Sequence, residues 1–297
     1  MSTLLKLIKR NIKLFFKDKG MFFTSLITPV ILLVLYLTFL GNVYRDIFTS
    51  SLPEGINLSE KLINGLVGGQ VMSSILAVSC VTIAFCSNFL MVQDKTTNTI
   101  KDLKISPVKS STLSLSYYIA TLISTLIICF AAMGICLIYM AIVGWYLSFM
   151  DVLFLFFDII LLVLFGTALS SIINFFLSSQ GQISAVGTII SAGYGFICGA
   201  YMPISSFSAG LQKVILFLPG TYGTSLIRNH AMQGALSEMQ NQGVSVNVIE
   251  KLKDSLDCNL YFFGNQVSLS TMYLILIVTI IVLIGIYILL NKFKKCK

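Results

Sequence analysis

Six apolar runs, each long enough to cross a bilayer as a helix, are the feature that most restricts how this chain can fold. A spanning helix needs about 20 mainly apolar residues, because the hydrocarbon layer is about 30 Å thick. The runs are continuously apolar and do not alternate, which favours helices over the strands of a barrel. We therefore predict an all-α integral membrane protein whose six spans are residues 21–40, 66–92, 113–143, 152–177, 183–204 and 269–290.

Basic residues collect on one side of these predicted spans. The chain has 20 lysines and arginines against 12 acidic residues, and its net charge is +8. Because basic loops stay in the cytoplasm, we predict that both termini and the loop between spans two and three lie there. This asymmetry accounts for the charge, so no nucleic-acid partner is predicted. The basic residues on that side are Lys6, Lys9, Arg10, Lys13, Lys17, Lys19, Lys95, Lys101, Lys104, Lys109, Lys292, Lys294, Lys295 and Lys297.

Residues 1–19 have the pattern of an amphipathic helix. Leu4, Ile8 and Phe15 fall on one helical face, whereas Lys6 and Lys13 lie on the other. Such a helix lies in the membrane interface, with its basic side toward anionic lipid headgroups. A signal peptide is the alternative. The long basic region and the lack of a small-residue cleavage site after residue 40 argue against it.

Cysteine and histidine give no sign of a disulfide framework or a metal site. Five of the seven cysteines lie inside predicted spans, where a small apolar side chain is the expected role. The single histidine, His230, has no cysteine or histidine partner at ligand spacing. We therefore predict no metal, and one histidine with one embedded carboxylate is too little for a membrane enzyme, so no catalytic residue is assigned.

A polar, basic island at residues 93–118 separates the second and third apolar runs. Its sequence, QDKTTNTIKDLKISPVKSSTLSLSYY, predicts a short helix, a break at Pro107 and the start of the next span. Ile100 and Leu103 give the short helix a small apolar edge. The residues alone leave two interpretations open, a docking surface for a soluble partner or an ordinary solvated loop.

The island also carries a family signature. The run from Asp94 to Leu103, followed by Pro107 and Val108, resembles the acidic–basic–x–x–Gly–Thr–Leu/Ile–x–x–Leu…Pro–Val pattern of ABC-2 type transporter permeases. Asn98 stands where that pattern commonly has glycine, and asparagine tolerates left-handed backbone next best, so the turn is expected to survive. The resemblance implies a coupling helix at 94–106 that contacts the ATP-binding subunit. The residues assigned to this contact are Asp94, Lys95, Thr99, Ile100, Leu103 and Pro107.

A second motif follows the fifth apolar run. Gly199, Pro203, Pro219, Tyr222 and Arg228 resemble the family's Gly-x-x-x-Pro-Ile…Pro-x-Thr-Tyr…Arg pattern. The apolar stretch 211–218 is too short to cross a membrane, so it predicts a re-entrant or interfacial piece that returns at Pro219. The segment 205–267 is therefore expected to form a partly re-entrant external lid.

These patterns together predict one transmembrane domain over residues 1–297. Its parts are the interfacial helix 1–19, spans one to five in 21–204 with the coupling helix 94–106, the lid 205–267 and the sixth span 269–290. Small residues every four positions predict close helix packing, either at a dimer contact or transport path or within one subunit. They are Gly69, Ser73 and Ala77 in span two and Gly187, Ser191, Gly195 and Gly199 in span five.

Asp158 is the one ionisable residue well inside a predicted span. A carboxylate in a membrane is costly and is by default a functional candidate. It lies about 9 Å from the start of its span, counting 1.5 Å per residue. Cation or proton handling is therefore one interpretation, and a hydrated or hydrogen-bonded position near the outer interface is the other.

The resemblance implies a permease subunit of an ATP-driven exporter in the bacterial plasma membrane. This chain has no G-x-x-x-x-G-K-[ST] loop, so ATP and Mg²⁺ are expected on two copies of a separate ATPase and no cofactor is expected here. A second permease, identical or homologous, and membrane lipid are the other expected partners. We predict export of an amphipathic cargo, such as a drug, antimicrobial peptide or lipid, by alternating access. Polysaccharide export is the alternative, and a channel or structural membrane subunit is the alternative from another class.

Overall fold

In a computed structural model of the protein, which describes residues 3–50, 58–105 and 108–293, the chain is mainly helical. A π-helical turn spans Tyr36–Leu40, a 3-10 turn spans Ile204–Ser206, and the strands β1 (Tyr261–Phe262) and β2 (Asn265–Gln266) pair antiparallel. The α-helices are α1 (Thr3–Lys17), α2 (Lys19–Leu35), α3 (Gly41–Ser50), α4 (Glu60–Thr96), α5 (Thr99–Ile105), α6 (Ser110–Val143), α7 (Phe149–Phe176), α8 (Gln180–Ile197), α9 (Ala209–Leu216), α10 (Pro219–Asn241), α11 (Val246–Ser255) and α12 (Leu269–Phe293).

Five helical segments of the described residues are long and apolar enough to cross a membrane. They coincide with predicted spans one, two, three, four and six, which confirms an all-α integral membrane architecture. The layout with six spans is not established, because the fifth predicted span falls outside this set. The five segments are Lys19–Thr49, Glu60–Thr96, Ser110–Val143, Phe149–Phe176 and Leu269–Lys292.

The fifth predicted span, 183–204, ends earlier than the sequence analysis placed it. Helix α8 stops at Ile197 because Gly199 adopts a left-handed conformation, with φ of 71°. The Ala200 N–H then donates to the Gly195 carbonyl at 2.9 Å, which closes the helix end in the manner typical of glycine. The predicted end of the span at residue 204 was therefore wrong, since Gly199 ends the helix first.

Helix α4 forms the centre of the bundle. Its 37 residues begin after Ser59, whose side chain accepts a hydrogen bond from the Leu62 N–H. Its residues 68–92 are all buried, and α2, α6, α7, α8 and α10 pack around it. A side chain at Gly166 of α7 would lie 2.9 Å from the Cys80 carbonyl, so the two backbones approach closely. Such close approach through small residues is how helices pack where lipid removes the hydrophobic drive.

Helix α10 lies inside the bundle, although the sequence analysis assigned its residues to an external lid. It begins at Pro219, the predicted return point, directly after the short helix α9. The Thr221 hydroxyl lies 3.4 Å from the Ile197 carbonyl, so α10 starts where α8 ends. From there α10 runs along the first half of α7, with Gly223 against Leu162. The segment 205–267 thus contributes a 23-residue, largely buried helix to the fold.

Helix α1 packs against the protein along its apolar face. Ile8 and Phe15, two residues of the predicted face, are buried, and Phe15 is only 1% exposed. Leu7 and Asn11 are buried beside them, and α6 is the main neighbour. The basic face is left to the surroundings, and its position at a membrane surface stays a prediction.

Candidate functional site

A buried carboxylate ties three helices together where α4 ends. Asp94 accepts hydrogen bonds from both terminal nitrogens of Arg10 in α1, at 2.8 and 3.2 Å, and from the Tyr117 hydroxyl of α6. The Asp94 side chain is 9% exposed and the Arg10 side chain 28%. Two parallel bonds between arginine and a carboxylate combine charge with a fixed geometry. A displacement of the end of α4 would therefore be felt by α1 and α6.

Lys95, the next residue, connects α4 to the end of α7. Its ammonium group donates to the carbonyls of Asn174, Phe175 and Leu177, at 2.8, 3.0 and 2.9 Å. The last carbonyls of a helix have no partner within the helix and lie at the negative end of its dipole. A lysine is well suited to satisfy them. Arg10, Asp94, Lys95 and Tyr117 are called the α4 joint below.

Helix α5 leaves the α4 joint through a left-handed residue and projects from the bundle. Asn98 has φ of 61°, which confirms the expectation that asparagine serves in place of the glycine of the family pattern. Ile100 and Leu103 are half-buried, and Leu103 packs against the core. Ile105, in contrast, is 85% exposed. The most accessible apolar side chain of this helix is thus Ile105.

The structure separates the six residues assigned to ATPase contact into two groups. Asp94 and Lys95 point into the protein, whereas Thr99, Ile100 and Leu103 lie on α5 with partial exposure. Pro107 lies outside the described residues. A role of any of these residues in binding an ATPase stays a prediction. Their geometry suits a lever, with α5 as the accessible arm and the α4 joint as its attachment.

A buried arginine holds the re-entrant region in place. Arg228 of α10 donates to the Gly199 carbonyl at 2.8 Å and to the Leu256 carbonyl at 2.6 Å, and it lies 3.4 Å from Asp257. Asp257 in turn accepts the Ile204 N–H at 2.8 Å. Arg228 is 1% exposed. This set of contacts, called the hairpin clamp, joins the ends of α8 and α11 and the loop that contains Pro203 to α10.

The carboxyl group of the hairpin clamp, that of Asp257, has a raised pKa. Burial raises the pKa of Asp257 from 3.8 to about 6, and the Arg228 charge and the Ile204 N–H lower it by less than burial raises it. Asp257 also has left-handed backbone, with φ of 56°. Its position just after α11 lets the carboxyl group contact both Arg228 and the Ile204 N–H. The clamp therefore changes charge in a pH range that a solution experiment can reach.

The remaining residues of the second motif shape the turn between α9 and α10. Pro219 is in the first turn of α10, where a missing N–H costs nothing. The Tyr222 hydroxyl donates to the Leu216 carbonyl at 2.6 Å, and the Thr221 hydroxyl donates to the Ile215 carbonyl at 2.9 Å. Both bonds satisfy carbonyls at the end of α9. Pro203 precedes the 3-10 turn.

The small residues of the two predicted ladders contact their own chain. A side chain at Gly69 would lie 2.7 Å from the Ala231 carbonyl, so α10 packs against α4 there. Gly195 faces the ring of Tyr201, whose hydroxyl donates to the Ser191 carbonyl at 3.3 Å. The Gly187 position lies against Phe89 of α4. Ser73 is buried within α4 and donates to the Gln70 carbonyl. A part in a dimer contact or a path stays a prediction for all of them.

An open groove runs between α2 and α8, with α4 as its floor. Its volume is about 1080 Å³. Apolar side chains such as Ile31, Phe39 and Phe89 line most of it, and the hydroxyls of Thr24 and Ser184 add polar points. Gly187 and Ser191 of the predicted ladder also line it. The groove therefore offers an amphipathic surface of the size that small-molecule sites have.

Asp158 is buried in a three-residue cluster that joins α7, α10 and α12. One carboxylate oxygen lies 2.7 Å from Nδ1 of His230, and the other accepts the Tyr273 hydroxyl at 2.6 Å. Phe154 stacks on the His230 ring, with centroids 4.9 Å apart. Of the two interpretations, the hydrogen-bonded position agrees with these contacts. A function of Asp158 in handling a cation or a proton stays a prediction.

Several of these partners were missed by reasoning from sequence. His230 was considered only as a metal ligand, although a carboxylate inside a membrane protein needs a partner and this histidine is the only one in the chain. Arg10 was counted only among the basic residues of the predicted cytoplasmic side, and Tyr117 was assigned only to the end of the polar island and the start of the third span. No local pattern indicates that either residue contacts Asp94. Arg10, for example, is 84 residues away from Asp94 in the sequence.

Comparison with known proteins agrees with the signature described above. A family model described as ABC-2 type transporter matches residues 3–231. No curated protein and no solved structure matches the chain. The matched range contains the α4 joint, α5, Asp158 and the start of α10 through Arg228.

Proposed function

The chain belongs to the ABC-2 type transporter family, and on that premise we propose that it is the permease of an exporter that moves an amphipathic cargo out of a bacterial cell. A multi-pass membrane subunit of an ABC transporter works with an ABC ATPase, as the family implies. The export direction, the class of cargo and the bacterial plasma membrane belong to the proposal. So do two ATPase copies, a second permease and termini on the cytoplasmic side.

The observation that carries the proposal is the attachment of α5, through the end of α4, to α1, α6 and α7. The residues at its base, Asp94 and Lys95, are held by α1, α6 and α7, and α5 itself presents Ile105 to the surroundings. A force on α5 would reach these helices through short, charge-assisted bonds. An ATPase that closes on ATP would thereby bias the same conformational equilibrium that the cargo biases, which is the requirement for alternating access.

The groove between α2 and α8 supports the choice of cargo. Its lining is mainly apolar and includes the hydroxyls of Thr24, Thr28, Ser184 and Thr188. A sugar polymer would need many hydrogen-bonding partners, whereas a drug, an amphipathic peptide or a lipid can bury apolar surface there. An amphipathic cargo is therefore the proposal that the geometry supports better.

The test is ATPase turnover of the permease reconstituted with an ABC ATPase encoded beside it. Changing Ile105→Asp places a charge on the exposed arm without disturbing the core, because Ile105 is 85% exposed. We expect weaker association and a loss of the permease's effect on turnover by about tenfold, since a central apolar contact of an interface contributes about 1–2 kcal/mol.

Val246→Asp is the matched control for this change. Val246 is also an exposed aliphatic residue, 55% exposed, and it lies in the first turn of α11, far from α5 along the chain. The control is expected to leave turnover unchanged. If Ile105→Asp associates with the ATPase and alters turnover as the unmodified chain does, the coupling role of α5 is wrong. If no ATPase associates with the unmodified chain, the channel interpretation replaces the proposal.

A further inference from the structure

A narrow cleft lies on the bundle surface between the start of α6 and the end of α12, away from the groove described above. Its volume is about 450 Å³. Leu115, Ile284 and Ile288 make its wall apolar, and Leu115 and Ile288 are 45% and 61% exposed. The other lining residues are Ser111, Ser114, Tyr118, Tyr287, Asn291 and Lys292. The cleft is thus an apolar slot with a polar end.

Hydrogen bonds between the two helices keep the cleft in shape. The Ser114 hydroxyl donates to the Asn291 amide oxygen at 2.6 Å, and the Tyr287 hydroxyl donates to the Ser114 carbonyl at 3.2 Å. The rings of Tyr118 and Tyr287 stack with centroids 5.9 Å apart. The cleft is therefore formed before any ligand arrives, which lowers the cost of binding.

The polar end of the cleft favours an anion. Lys292 lines it, and the exposed Lys109 directly precedes α6. Among the described residues, no side chain caps the first turn of α6, so the positive end of a 34-residue helix is open to another acceptor. Among the described residues that line the cleft, none is acidic. Tyr118 also lines the cleft, and its buried hydroxyl has no hydrogen-bond partner in the part of the chain that the structure describes.

We propose that this cleft binds an anionic glycerophospholipid. Its phosphate lies beside Lys292 and the first turn of α6, and one acyl chain lies along Leu115, Ile284 and Ile288. Tyr287, the stacking partner of Tyr118, precedes Lys292 by five residues, which is about 7.5 Å along the helix. This spacing is of the order that separates the phosphate from the ester carbonyls of a glycerophospholipid. Tyr118, whose buried hydroxyl has no hydrogen-bond partner among the described residues, lines the cleft beside Tyr287.

The shape and charge of the cleft favour a lipid over a protein partner. Its volume of about 450 Å³ is that of a small-molecule site, and the described residues that line it include no acidic side chain. The sequence places Lys292 on the basic side of the membrane, where anionic lipids add attraction for lysine. Basic pockets between spanning helices are a known setting for anionic headgroups. The proposal does not depend on transport or on an ATPase.

The test is native mass spectrometry of the full-length protein in mild detergent with equal amounts of phosphatidylglycerol and phosphatidylcholine. We expect preferential retention of phosphatidylglycerol. Lys292→Gln should lower that retention about fivefold and leave phosphatidylcholine unchanged, because one basic residue at an anionic headgroup contributes about that factor. Leu115→Trp should reduce both lipids by filling the slot. Both changes are at exposed positions, so folding is expected to survive.

Two control variants and a measurement with inorganic phosphate distinguish a specific lipid site from non-specific attraction between lysines and anionic lipid. Lys17→Gln removes an exposed lysine elsewhere on the basic side, and Ile127→Trp adds a tryptophan at a position of α6 that is 49% exposed. Neither should alter lipid retention. Equal losses in Lys17→Gln and Lys292→Gln would overturn the proposal. Thermal stabilisation by inorganic phosphate equal to that by short-chain phosphatidylglycerol, and kept in Leu115→Trp, would replace it with a simple anion site.

Discussion

The α4 joint and the hairpin clamp both use a basic residue at the ends of helices, yet they differ in how tightly the protein encloses it. In the hairpin clamp, Arg228 is 1% exposed and binds two backbone carbonyls and Asp257. In the α4 joint, Arg10 has a side chain that is 28% exposed and binds another side chain, that of Asp94. The basic groups of the α4 joint, Arg10 and Lys95, are therefore partly open to water, whereas that of the hairpin clamp is not.

This difference indicates which end of the bundle can move. Breaking the hairpin clamp would leave buried carbonyls and a charge without partners, which costs several kcal/mol. Opening the α4 joint releases Arg10 and Lys95, which water already reaches in part, so the cost is smaller even though Asp94 is buried. A conformational change driven through α5 is therefore expected to rearrange the α4 joint and to carry the hairpin clamp along as a rigid unit.

The largest effect is expected for Arg228→Met, which breaks the clamp. The substitution removes the donors for the Gly199 and Leu256 carbonyls and the charge that faces Asp257. Removing one partner of a buried pair costs about 3–5 kcal/mol. Thermal unfolding of the purified protein, followed by the loss of the monodisperse peak in size-exclusion chromatography, measures it. The melting temperature of Arg228→Lys should fall between those of the unmodified protein and Arg228→Met, since one ammonium group cannot serve both carbonyls equally. A melting temperature unchanged in Arg228→Met would contradict the rigid-unit view.

The next effect concerns pH. Because burial raises the pKa of Asp257 to about 6, the folded protein binds its proton more tightly than the unfolded chain does. The stabilisation from this group is complete below about pH 4 and is lost as the pH rises through 6. A shift of this size corresponds to at most about 3 kcal/mol.

Asp257→Asn is the variant that isolates this dependence. Asparagine resembles the protonated carboxyl group and keeps an acceptor for the Ile204 N–H. The melting temperature of the variant, relative to that of the unmodified protein, should therefore rise between pH 4 and pH 8. Asp254→Asn, at a more exposed residue of α11, serves as the control. A relative melting temperature that is flat with pH would show that Arg228 keeps Asp257 ionised throughout.

The two regions also differ in how well the sequence predicted them. The end of α4 was predictable, because a basic, polar island between apolar runs and an asparagine at the turn are local signals. Helix α10 was not, since it carries Arg228, Asn229 and His230 in its middle and hydropathy alone rejects it. Those residues are tolerated only because the carbonyls of Leu256 and Cys258 and the carboxylate of Asp158 meet them. Such partners depend on the tertiary fold, and no local pattern predicts them.

Dependence on tertiary partners also explains why Asp94 and Lys95 of the α4 joint point into the protein. Asp94 and Lys95 carry charge, and a charged pair beside a polar loop is most simply predicted to face a soluble partner. The structure instead gives them the ends of neighbouring helices, namely Arg10 of α1 and the last carbonyls of α7. Buried charges need such partners. The five apolar spans, which require only length and composition, were predicted without this information.

The smallest effect on stability is expected for Lys95→Met, and it sharpens the contrast because its effect on coupling should be large. Methionine keeps most of the apolar stem of the side chain but cannot donate to the three carbonyls at the end of α7, which water can then reach in part. A loss of about 1 kcal/mol in unfolding free energy is expected, together with loss of the permease's effect on ATPase turnover. Lys17→Met, at an exposed lysine of α1, should change neither quantity. If Lys95→Met destabilised the protein as much as Arg228→Met, the attachment of α4 to α7 through Lys95 would be as rigid as the hairpin clamp. The motion driven through α5 would then have to pass through α1 and α6 alone, by way of Asp94.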